Sequence, residues 1–158
     1  MKRIIFTLLY SKGNFFLSRN FRLQEVGNIE WLFSNYKFQE LSENIDELII
    51  LNLDKSKKID KNFIKTVRKI IKNCFIPITI GGNINSILDA TIYMESGADK
   101  ILINSLLFKN PIECKKISKK YGSQCIVAGI DYIIEEKNFY ILNNHGKFKV
   151  HLSKYIEK

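Results

Sequence analysis

The sequence predicts an α/β protein built on a parallel sheet, and three observations carry that reading. Short runs rich in isoleucine and leucine recur along the chain and are nearly continuous in apolar character, as in strands buried on both faces. Between them lie runs whose apolar residues follow helical spacing. The last four apolar runs begin at residues 47, 76, 100 and 125, a regular βα beat whose crossovers should be right-handed. Such an array forms either an open doubly wound sheet or an eight-stranded barrel, and periodicity does not choose between them.

The elements follow in order. Strands are expected at 3–9, 47–53, 76–80, 100–104 and 125–130. A bulky segment over 28–43, with Trp31, Leu32, Phe33, Tyr36 and Phe38, reads as helix. In 60–73, Phe63, Ile64, Val67, Ile70 and Ile71 keep helical spacing behind Asp60 as N-cap. In 84–96, Ile87, Leu88, Thr91, Ile92 and Met94 lie in a helix that Gly97 would end. In 110–121, Asn110 caps, Pro111 takes the first helical position and Gly122 closes. After the fifth strand, 139–142 and 147–150 flank Asn143-Asn144-His145-Gly146 and predict a hairpin, and 153–158 reads as the start of another helix.

Composition narrows the function classes. The 158 residues are 46% apolar and 26% charged, which suits one globular domain over 1–158 with a core of its own. No run approaches 18 uncharged apolar residues, so no membrane span is expected, and no small-residue cleavage site follows Ile4 to Tyr10. Cys74, Cys114 and Cys125 are odd in number and form no CxxC pair, and the only histidines are His145 and His151. Neither a metal site nor a disulfide framework is expected, nor any cofactor; the cysteines read as small apolar fillers in a reducing cytoplasm. The net charge of +9 comes largely from lysines in 54–72 and 115–120. They are spread over several helices without an aromatic stacking platform, so they read as solvated faces and not as a nucleic-acid surface.

Parallel α/β folds bind ligands at the C-terminal ends of their strands, so the residues after each strand are site candidates. Gly81-Gly82-Asn83 follows the third strand and leads into a helix, whose free N–H groups could meet a phosphate. Asn104-Ser105 follows the fourth strand and adds two small hydrogen-bonding residues beside the glycine pair. The fifth ends in Ile130-Asp131-Tyr132, and a lone carboxylate there is a general acid/base candidate. At the opposite ends, Arg3, Glu47 and Lys100 begin strands one, two and four. If the strands curl into a barrel, these charges converge on its floor as a polar plug.

Three runs are specific in combination: Phe75-Ile76-Pro77-Ile78-Thr79-Ile80-Gly81-Gly82-Asn83-Ile84, Ser96-Gly97-Ala98-Asp99-Lys100-Ile101-Leu102-Ile103-Asn104-Ser105 and Gly122-Ser123-Gln124-Cys125-Ile126-Val127-Ala128-Gly129-Ile130-Asp131. Together with Lys2-Arg3-Ile4-Ile5 and Asp46-Glu47-Leu48-Ile49-Ile50-Leu51, they closely resemble the cyclase subunit of imidazole glycerol phosphate synthase. The resemblance covers essentially the whole chain and is looser over 10–45. It implies a partial (βα)8 TIM-type barrel of about five βα units. It also implies an activity in histidine biosynthesis, in which ammonia from a glutaminase partner reacts with a phosphorylated ribonucleotide. By the same resemblance, Gly81, Gly82, Asn104 and Ser105 would hold a substrate phosphate and Asp131 would be the general acid. Arg3, Glu47 and Lys100 would be members of a charged ring that gates ammonia, and Asp99 would contact the glutaminase.

Three departures qualify the likeness. The family's second catalytic aspartate, at the end of strand one, aligns with Leu9, which cannot accept a proton. The lysine of the following loop aligns near Leu17 and Ser18, and the acidic residue late in strand two has become Asn52. The chain is also expected to end before strands six to eight, which carry the second phosphate site and the fourth gate residue. Leu9 makes a sibling branch, which amidates sugars in surface-glycan biosynthesis, a second expectation. A third is a non-catalytic half-barrel whose two apolar sheet edges pair with another copy or fragment.

Overall fold

A computed structural model describes residues 2–19, 22–55, 59–143 and 148–151. The main sheet has seven strands: β1 (Ile5–Ser11), β2 (Asn14–Arg19), β3 (Arg22–Asn28), β4 (Glu47–Asn52), β5 (Ile78–Gly81), β6 (Lys100–Ile103) and β7 (Ile126–Ala128). Their spatial order is β3-β2-β1-β4-β5-β6-β7. β1, β4, β5, β6 and β7 pair in parallel, with Ile5 opposite Glu47, Ile49 opposite Thr79, Thr79 opposite Lys100 and Leu102 opposite Val127. These five strands follow chain order without the reversal that defines a doubly wound sheet, so the arrangement is that of a partial TIM-type barrel.

Burial agrees. Leu48, Ile50, Ile78, Ile80, Ile101 and Ile103 share one face and are almost fully buried. They join one core with residues of the intervening helices: Phe63, Val67 and Ile70 of α3 (Lys61–Ile71), Ala90 and Tyr93 of α4 (Ile87–Glu95) and Ile117 of α6 (Pro111–Tyr121). The alternating residues Ile49, Leu51, Leu102 and Val127 occupy the other face and are only half-buried. The prediction of strands buried on both sides holds for β5, whose four residues are all buried; for β4 and β6 it holds fully on the helix-covered face, and no residue of β7 is buried.

The looser segment 10–45 departs most from expectation. Residues 14–19 and 22–27, expected as part of a loop, lie in the antiparallel pair β2 and β3, and β1 turns back into β2 at Lys12 and Gly13, both at positive φ. β2 pairs with β1 over Leu9–Ser11, so one of the two expected apolar sheet edges is replaced there by the polar strand Arg22–Asn28. The helix expected over 28–43 is two pieces, α1 (Ile29–Asn35), capped by Asn28, and α2 (Phe38–Ser42), because Tyr36 and Lys37 are extended. The 84–96 helix starts only at Ile87, behind Ser86 as N-cap. A short helix, α5 (Ser105–Lys109), follows β6.

The hairpin after the fifth parallel strand is present but belongs to a separate three-stranded antiparallel sheet: β8 (Asp131–Glu135), β9 (Asn138–Asn143) and β10 (Phe148–His151). The expected turn residues Asn144, His145 and Gly146 and the helix over 153–158 lie outside the described residues. No helix among the described residues is long and apolar enough to cross a membrane.

Candidate anion-binding and catalytic site

At the C-terminal ends of the parallel strands lies a cavity of about 770 Å³ whose polar lining includes Lys55, Gly82, Asn104, Ser105, Lys109 and Asp131. Gly82 has φ +98° and Asn83 φ +55°, so the backbone turns through the left-handed region twice in succession. A Cβ on Gly82 would sit 2.0 Å from the Asn52 carbonyl oxygen, so only glycine lets this turn rest on β4. The turn is tied down elsewhere too. Asn83 Nδ2 donates to the Asp54 carbonyl, and the buried Tyr93 hydroxyl donates to the Gly82 carbonyl at 2.7 Å.

One expectation is corrected here. The helix after the glycine pair does not offer a free N-terminus. It begins five residues beyond Gly82, and its leading N–H groups are already met: Ile87 N donates to Glu113 Oε1 at 3.0 Å and Asp89 N to Ser86 Oγ at 3.2 Å. The hydrogen bond from Ile87, with that from Lys116, holds the Glu113 carboxyl below its usual pKa. An anion at this site would meet the turn itself, together with Asn104, Ser105 and the two lysines.

Asn104 Nδ2 donates to Asp131 Oδ2 at 3.1 Å, which joins the fourth and fifth strand ends as the strand-end rule expects. Asp131 does not end the fifth parallel strand, however. β7 stops at Ala128, and Asp131 is the exposed first residue of β8, paired in register with Leu142 of β9. Leu142 also lines the cavity, so the second sheet forms one wall. Lys55 and Lys109, not anticipated from sequence, have no ion-pair partner among the described residues.

The departures also find their places. Leu9 lies on β1 opposite Leu51 and is half-buried. Leu17 and Ser18 are exposed on β2. Asn52 is buried at the end of β4, where its Oδ1 accepts from Asp54 N.

The opposite end of the strands carries the charged cluster, and it is assembled. Glu47 Oε2 accepts from Arg3 Nη2 at 3.0 Å and from Lys100 Nζ at 2.9 Å. Its Oε1 accepts from the Thr79 hydroxyl, a partner missed in the sequence because threonine in an apolar run reads simply as a strand former. The Glu47 side chain is 5% exposed. Burial pushes its pKa up, but the hydrogen bonds from Thr79 and Lys100 and the charges of Lys100 and Arg3 outweigh that, and the carboxyl stays below its usual value. Asp99, exposed beside this cluster, accepts from Ile78 N at 2.7 Å; Asp46 does the same for Ile4 N at 2.6 Å. Each aspartate thus clips the start of its β4 or β6 segment to the preceding strand of the sheet.

Between the two ends lies an apolar layer. Leu102 packs where a Cβ on Gly81 or Gly129 would stand, and Leu51 crowds Gly81 from the other side. β4 has six residues, so Glu47 and Asn52 are about 16 Å apart along the strand. Among the described residues no group of three or more histidine, cysteine or acidic side chains could hold a metal.

A partial parallel barrel with a polar cavity at one rim and an ion cluster at the other defines a class, and comparison with known proteins supplies the family. The model of a family described as "Histidine biosynthesis protein" matches residues 22–158, and the chain belongs to that family. It is 42% identical over 149 residues to a "putative imidazole glycerol phosphate synthase subunit hisF2" of Parasynechococcus marenigrum, covering 94% of this chain and 55% of that one. It is 36% identical over 152 residues to the imidazole glycerol phosphate synthase subunit HisF of Flavobacterium psychrophilum, covering 96% and 55%. Against HisF of Staphylococcus aureus it is 33% identical over 157 residues, covering 98% and 61%. The chain spans about half the length of the curated relatives it matches.

Proposed function

We propose that this chain performs the ammonia-using chemistry of an imidazole glycerol phosphate synthase cyclase subunit, in the cytoplasm and in histidine biosynthesis. The carrying observation is that one parallel sheet bears the Arg3–Glu47–Lys100 cluster at its N-terminal end and the Gly82 turn and Asn104 at its C-terminal end, where Asn104 meets Asp131 of β8. A glutaminase partner would dock at the first end, with Asp99 on its rim, and a phosphorylated ribonucleotide would bind at the second. The names of the relatives favour this reading over amidation of a sugar.

The residues divide the work. The Gly82 turn, Asn104, Ser105 and the lysines Lys55 and Lys109 hold the phosphate. Asp131 moves the proton at the reacting centre, and Asn104 Nδ2 fixes one of its carboxyl oxygens. Leu9 offers no lone pair, so the proton acceptor of the ring closure is not the residue at that position.

The test mixes the chain with a glutaminase of this family and follows glutamine hydrolysis and product formation, for wild type and Asp131→Asn. Wild type should stimulate hydrolysis. The variant should keep that stimulation but lose product formation by about 100-fold or more. Absence of both a complex and stimulation refutes the proposal.

A further inference from the structure

Tyr93 projects from α4 into the layer between helices and sheet and is fully buried. Its ring packs on Phe63 at 5.8 Å, and Phe63 packs in turn on Tyr10 at 5.0 Å, so an aromatic row seats it firmly. Its hydroxyl donates to the Gly82 carbonyl across 11 positions of chain. Burial pushes the phenol far above its usual pKa, so its single proton stays in place.

The geometry of a peptide unit gives this bond a consequence. The Gly82 carbonyl and the Asn83 N–H belong to one planar trans peptide and point in opposite directions. A carbonyl held towards Tyr93, on the helix side, aims the Asn83 N–H away from the helices, towards the cavity that Gly82 and Asn83 line. Asn52 backs the same peptide. Its carbonyl oxygen occupies the place of a Cβ on Gly82, and its amide stands beside the Tyr93 hydroxyl, with Nδ2 buried and short of a full hydrogen bond. An amide at this position does not compete for the tyrosine proton through both of its polar atoms. A carboxylate is acceptor-only and would draw that proton from the Gly82 carbonyl.

We propose that Tyr93 is a positioning residue for the anion-binding turn: its hydroxyl, left free by the amide of Asn52, fixes the Gly82 peptide so that the turn presents an N–H to a phosphate monoester. The inference rests on the cavity's being the phosphate site, and it places part of the site's affinity in a side chain that touches no ligand.

Inorganic phosphate titrated into the full chain, followed through the amide resonances of Asn83 and Ser105, tests it. Tyr93→Phe removes only the hydroxyl and should weaken phosphate binding about five-fold, the effect of one ordinary hydrogen bond. Asn52→Asp should weaken binding in the same direction, and the double variant should be no weaker than Tyr93→Phe alone, because both act through one bond. If Asn52→Asp does not fold, Tyr93→Phe decides. A lower melting temperature with unchanged phosphate affinity in Tyr93→Phe overturns the proposal. Asn104→Ala separates the two levels. If it weakens binding while Tyr93→Phe does not, only the role of Tyr93 falls; if wild type and Asn104→Ala fail to bind or bind equally, the reading of the cavity falls with it.

Discussion

Glu47→Gln probes the charged cluster with the least change of shape. The glutamine Oε1 can still accept from Thr79, but Lys100 and Arg3 lose their counter-charge. At 2.9 and 3.0 Å, each pair has a gross attraction of about 5 kcal/mol at an effective dielectric constant of about 20. Desolvation of the nearly buried carboxylate cancels much of this. The Arg3 side chain is 50% exposed, so its share is further screened by water. The net loss of stability should be about 1–3 kcal/mol at pH 7. The pH dependence is the sharper test. The folded pKa of Glu47 lies below the ordinary value of a glutamate, so the stability it contributes is complete above that ordinary value and is lost as pH falls through the folded pKa. Urea unfolding of wild type and Glu47→Gln should therefore differ at pH 7 and converge as the solution is acidified past that point. An equal difference at neutral and acid pH would refute the reasoning, because the effect would then come from shape and not from charge.

Two further predictions separate roles that share a residue. Gly82→Ala should cost about 3 kcal/mol or more, since it adds a clash with the Asn52 carbonyl to the left-handed penalty, whereas Gly13→Ala, at φ +93° with open space around it, should cost only about 1–2 kcal/mol; equal costs in urea unfolding would remove the clash from the argument. Asp99→Asn keeps an oxygen for Ile78 N and should leave stability unchanged while slowing glutaminase association in a salt-dependent way, whereas Asp99→Ala should also lose about 1 kcal/mol of stability. Surface-measured binding and unfolding curves for the pair would show otherwise if Asn and Ala behaved alike.

The legible parts of the fold were those whose physics is local. β4 to β6 show as apolar runs because one face of each is wholly buried, β7 shows as one although none of its residues is fully buried, and α3 and α6 show as helices because Asp60, Asn110 and Pro111 mark their starts. β2, β3 and β8 were not legible. Their sequences are mixed and largely exposed, and what makes them strands is pairing with a neighbour, which no single segment reveals. The site divides in the same way. Gly82, Asn104 and Asp131, which the strand-end rule singles out, line one cavity, although Asp131 opens β8 instead of ending β7. Tyr93 is hidden because a buried aromatic on a helix reads as core, and Lys55 and Lys109 because they fall among many lysines of a strongly basic chain.

The chemistry proposed for the cluster requires that ammonia, and not ammonium, crosses the sheet. The cluster holds two cations and one carboxylate, and both carboxylate oxygens are committed, Oε2 to Arg3 and Lys100 and Oε1 to Thr79. An arriving ammonium ion, which can only donate, would meet an unfavourable net charge at a carboxylate already paired with two cations. Neutral ammonia has a lone pair and could accept from Lys100. Beyond the cluster, Ile49, Leu51 and Leu102 form an apolar layer, where an isolated charge would cost far more than a small neutral molecule. On the proposed function, the proton would be left on the glutaminase side and nitrogen would reach the cavity as a nucleophile free to attack. Any proton that Asp131 handled would then come from the substrate or from solvent at the far rim, so that on this proposal loss of Asp131 and loss of Glu47 should impair different steps.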